Sequence, residues 1–172
     1  MDDLFSAAQA VFHNTPSHWA GMVQSFPLEL LKRVPAPGQW SALECLQHVL
    51  DVEQVFRTRL LAFQAGRDFP AFNPEEEGTH LTGQQSPAYL VARLASMRAD
   101  NMALLATFSP ADFERRVRHA ELGLVSLGEM VAEIAGHDLM HAVQAERAMM
   151  QPFIAACGPW RIYFTDHLAA EA

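Results

Sequence analysis

Two Ser-x-x-Glu steps constrain the fold of this chain more than any other feature. Ser41 to Glu44 and Ser126 to Glu129 both read as capping boxes: the serine side chain caps the first turn, and the glutamate three residues on returns the bond. The helix opened by Ser41 is expected to run to about Arg67, with Leu43, Leu46, Leu50, Leu60 and Leu61 recurring near helical spacing. The helix opened by Ser126 is expected to run to about Met150.

Prolines and glycines punctuate the rest. A first helix is expected over Asp2 to His13. Thr15-Pro16 then resembles a cap with proline in the first turn, starting a second helical stretch toward Phe26, where Pro27 interrupts. Val34 to Gly38 cannot be helix interior, because Pro35 and Pro37 each remove a backbone donor. Pro70, Pro74, Gly78 and Gly83 mark Asp68 to Gln85 as a long loop with room for one helical turn. Ser86-Pro87 starts a helix to about Phe108, Ser109-Pro110 a short one, and His119 to Leu124 reads as extended or turn around Gly123. Pro152, Gly158 and Pro159 break the tail before a terminal helical piece over Ile162 to Leu168. Four long helices and no alternating run for a central strand argue for an all-α helical bundle, and 172 residues suit one domain over 1–172.

Composition removes several classes of function. Half the residues are hydrophobic and 19% are charged, as in a globule with a core. No apolar run reaches the ~18 to 20 residues a bilayer span needs, and the acidic start Met1-Asp2-Asp3 is unlike a secretory signal. A cytoplasmic protein without membrane attachment is expected. The net charge of −8 repels phosphate backbones, so nucleic acid is a poor partner. Arg115, Arg116 and Arg118 are read as a solvated loop face. Cys45 and Cys157 match no CxxC motif and are expected to be reduced and at least partly buried.

The informative segment is Glu133-Ile134-Ala135-Gly136-His137-Asp138-Leu139-Met140-His141. His137 and His141 are one helical turn apart, so both rings leave one face and can reach a single ion. Glu133 and Gln144 continue the stripe. A lone His-x-x-x-His is more often a solvated face, so a third ligand is required. His48, one turn after Glu44 in the Ser41 helix, is the best candidate; alone it would read as a hydrogen-bonded core histidine. His13, His18, His80, His119 and His167 occupy breaks, loops or ends. Asp138 stands where a zincin carries glutamate, and the i, i+4 spacing of Glu44 to His48 and Glu133 to His137 is not the i, i+3 spacing of di-iron bundles.

Two segments resemble the DinB-like superfamily, which includes the bacillithiol transferases and the mycothiol-dependent maleylpyruvate isomerases. One is Gln39-Trp40-Ser41 with His48 in the following helix. The other is His119-Ala120-Glu121-Leu122-Gly123, then Ser126 to Glu129, then His137 and His141. The resemblance covers nearly the whole chain. It implies a DinB/YfiT-like four-helix bundle, often a homodimer, with one metal, usually zinc or nickel, on His48, His137 and His141. It also implies activation of a low-molecular-weight thiol for transfer to an electrophile, or a hydrolase or isomerase of the same superfamily. The segment Ala142 to Arg147 matches no thiol-recognition residues.

Three neutral imidazoles would leave open positions on the ion and its charge undiminished. Glu133 first, then Glu44 or Asp138, are candidates to orient a ligand ring or accept a proton. The competing expectation is a non-catalytic module that holds a metal or small ligand, as in a stress response. A third is a scaffold dimer with vestigial histidines.

Overall fold

A computed structural model describes residues 2–78, 81 and 85–169. Their elements run α1 (Asp2–Ser25), α2 (Leu28–Leu31), α3 (Ala42–Ala65), α4 (Pro74–Glu77), α5 (Pro87–Leu105), β1 (Arg116–His119), β2 (Gly123–Ser126) and α6 (Leu127–Ala156). Short 3₁₀ segments cover Pro110–Glu114 and Gly158–His167. The four long helices form the bundle, and α1 and α3 each pack between α5 and α6. His80 and Gly83 lie outside the described residues. Among the described residues, no helix is long and apolar enough to cross a membrane.

Both capping boxes form. Ser41 Oγ accepts from the Glu44 amide at 3.3 Å, and Glu44 Oε2 accepts from the Ser41 amide at 2.7 Å. Ser126 and Glu129 repeat the exchange at 3.1 and 2.6 Å. Gly66 closes α3 in the left-handed conformation at φ 62°, which a side chain would strain.

Three expectations need correction. Thr15-Pro16 does not begin a new helix: α1 is continuous through Pro16. Proline there orphans the Phe12 carbonyl, four residues back. Arg98 Nη1, from α5, donates to that oxygen at 3.3 Å, so a tertiary contact replaces the missing local bond. Pro152 likewise fails to stop α6, whose last turn is held by the buried Ile154. The arginine cluster is exposed, as expected, but most of it does not lie on a loop. Arg116 and Arg118 are on β1, which pairs antiparallel with β2 around a turn opened by Gly123 at φ 77°.

The core divides into two apolar clusters. One gathers Phe12, Phe56, Leu60, Phe63, Leu105, Leu127 and Ile134. The other gathers Trp19, Leu46, Val49, Leu90, Leu94, Ala145 and Met149. Polar side chains lie between the two along every long helix: Thr15, His48 and Glu53, Arg98 and Asn101, Asp138 and His141 are all buried. The candidate ligands His48 and His141 fall in this polar layer.

Candidate metal centre

The helical spacing that puts His137 and His141 on one face of α6 brings both to His48 of α3. His48 Nε2 lies 3.0 Å from His137 Nε2, and His141 Nε2 lies 3.1 Å from the same atom. The three ring nitrogens form a group that could hold a metal ion. Tetrahedral ligands at ~2.0 to 2.1 Å from an ion stand roughly 3.3 Å apart, so the cluster needs only a small expansion to accept one.

The protonation states suit that use. Burial lowers the His48 ring to about 4 and the His137 ring to about 3, and neighbouring rings add to both shifts. Burial also lowers His141, against the pull of its bond to Gln144. All three rings are therefore neutral near pH 7, with lone pairs available. Gln144 Oε1 sits 2.8 Å from His141 Nδ1, so that nitrogen carries the proton and Nε2 faces the centre bare. His137 Nδ1 is buried without a hydrogen-bond partner among the described residues. Trp40 covers the cluster: its ring stacks on His141 at 5.8 Å and 24° and tilts against His48 at 4.8 Å.

The carboxylates suggested by the sequence take different places. Glu44 Oε2 accepts from both the backbone and the hydroxyl of Ser41, which commits it to the cap. Asp138 is buried in the polar layer, where Arg98 Nη1 and the Thr15 hydroxyl donate to Oδ2 at 2.7 and 2.9 Å. Glu133 makes no hydrogen bond to His137 Nδ1. Its side chain reaches the surface, yet partial burial raises its carboxyl above the usual range, against the Arg59 charge.

Sequence reasoning missed Arg98. Its guanidinium faces Glu53 through Nε and Nη2 while Nη1 reaches Asp138, and Asn101 donates to Glu53 Oε2 at 2.8 Å. An arginine inside an apolar helical stretch was the available signal. His13 is exposed, and His18 faces Glu146 at 3.5 Å. Both cysteines are free, and burial pushes the Cys45 thiol up to about 12, too high for a nucleophile.

Beside the cluster opens a cavity of about 900 Å³. Trp40, His141, Gln144 and Arg147 line it together with the apolar Leu139, Met140 and Val143.

The family model of the DinB superfamily matches residues 11–145. The chain belongs to the DinB superfamily. Among solved structures it resembles YfiT from Bacillus subtilis, a probable metal-dependent hydrolase with an unusual four-helix bundle topology. The two share 18% identity over 87% of each chain, with a TM-score of 0.73, a likeness of fold. No curated protein matches the chain. The DinB assignment spans α3 and the part of α6 that carry all three histidines.

Proposed function

We propose that this DinB protein is a metal-dependent transferase that activates a low-molecular-weight thiol for attack on an electrophilic carbon. The observation that carries the reading is the convergence of three neutral imidazole nitrogens, with one of the rings, His141, lining a partly apolar cavity. A divalent transition metal, zinc or nickel, held by His48, His137 and His141 would keep its charge of about +2 and lower the pKa of a thiol placed against it. Gln144 fixes the His141 ring, and Trp40 shields the cluster from water. Leu139, Met140 and Val143 offer the electrophile an apolar surface. Glu133 would accept the thiol proton as the S–C bond forms, with the electrophile's leaving group departing or the electron pair settling on the electrophile. Cys45 does not compete, since its thiol is buried and protonated. Two free cysteines fit a cytoplasmic setting, and family likeness supports a homodimer.

Hydrolysis is the second reading, favoured by the fold shared with YfiT. The same residues would then activate water. Metal-loaded protein assayed with a chloronitrobenzene and common cellular thiols tests the choice. Thiol-dependent loss of the electrophile, absent from metal-free protein and from His48→Ala, supports transfer. Ester hydrolysis without thiol would replace it with the hydrolase. A bound metal with neither activity would leave a binding module.

A further inference from the structure

A second polar group, shared by α3 and β1, lies outside the three-histidine cluster. His119, the last residue of β1, is buried, and its Nδ1 accepts the amides of Glu121 and Leu122 at 3.1 and 3.3 Å. That nitrogen is therefore bare, and the neutral ring carries its proton on Nε2. Nε2 lies 3.5 Å from Arg59 Nη2. Both groups are donors, so the contact is not a hydrogen bond, and among the described residues neither N–H is given an acceptor. Arg59 Nε is also buried without a partner among the described residues. Phe69 backs both groups: the guanidinium carbon lies 5.3 Å from its ring centre, and the His119 ring meets it edge-on at 5.5 Å. Arg59 is close enough to act electrostatically on His137 and on Glu133, yet forms no ion pair with Glu133.

We propose that Arg59 and His119 bind a carboxylate group of the substrate beside the three-histidine centre. A carboxylate supplies the missing acceptor, and one guanidinium with Glu133 nearby balances a monoanion better than a dianion. The substrate role rests on the proposed function, whereas the donor pair itself does not require the metal. The test is titration of protein carrying ¹⁵N-labelled histidines, zinc-loaded and metal-free, with propionate, propionamide and inorganic phosphate. Propionate is expected to move the His119 Nε2 resonance saturably in both forms, and propionamide to leave it unmoved. Arg59→Gln should weaken propionate binding at least tenfold, with partial recovery in Arg59→Lys. No saturable shift, or one unchanged by Arg59→Gln, overturns the site. Tighter binding of phosphate overturns the carboxylate assignment. Propionate binding to metal-free protein would keep the site even if the three histidines proved to hold no metal.

Discussion

Arg98 Nη1 donates to Asp138 Oδ2 at 2.7 Å, joining α5 to α6 one residue from a histidine of the centre. The same guanidinium holds Glu53, and both ion pairs are almost completely buried. Buried charges are tolerable only in company. Arg98→Ala would strand two carboxylates in the core and free the Phe12 carbonyl. We expect it to cost ~3–5 kcal/mol, the usual penalty for breaking a buried pair. Urea denaturation should show the midpoint falling with the slope unchanged. A loss below about 1 kcal/mol would mean that water reaches the layer.

Asp138 also shows what the sequence could and could not disclose. The capping boxes and the i, i+4 histidines are local patterns, and they placed α3, α6 and the three rings. Asp138 lies between two of those rings in sequence and was grouped with them, but its partners are 40 and 123 residues away. No local rule reports such pairings. Pro16 misled for the same reason, since the donor that replaces its missing bond comes from α5. Trp40 was legible only as part of a family likeness, and its stacking on His141 is a tertiary fact.

Purified protein is expected to carry close to one transition metal per chain. His48→Ala and His141→Ala should each lose it, measured by elemental analysis. Gln144→Ala leaves the ligands but frees the His141 ring, so affinity should drop ~10- to 100-fold in a chelator competition. Full occupancy in both histidine variants would sink the site. The choice between zinc and nickel follows supply as much as affinity.

A homodimer is expected from the family likeness. Sedimentation at micromolar concentration should give twice the 19.1 kDa chain mass. A single species at 19.1 kDa would refute it.

Glu133→Gln keeps the shape of the side chain and removes its basicity. If Glu133 takes the thiol proton, thiol transfer should slow ~10²-fold or more while the metal content stays at wild-type level. Loss of metal along with rate would assign Glu133 to holding the site instead. A rate equal to wild type would remove it from the mechanism and leave the three histidines standing.

The last prediction concerns acid. The folded-state values of His48 and His137, about 4 and about 3, lie below the ordinary 6.5. Between pH 6.5 and about 4 the unfolded chain therefore binds protons that the native rings refuse. Stability of the metal-free protein rises with pH across that window and is lost as pH falls through it. The full slope for one such ring is about 1.4 kcal/mol per pH unit. Burial raises Glu53 and Glu133 above their ordinary 4.5, and these pull the opposite way above that value, inside the same window. The decisive comparison is therefore with His137→Gln, whose stability should fall less steeply below pH 6.5 than that of wild type. Metal retention follows from the same shift. Rings already neutral at pH 7 release few protons on binding, so affinity should stay nearly flat down to about pH 5 and collapse as the rings protonate. Metal lost at pH 6 to 6.5, as from free imidazole, would show that the rings are solvated and that their burial does not tune the centre.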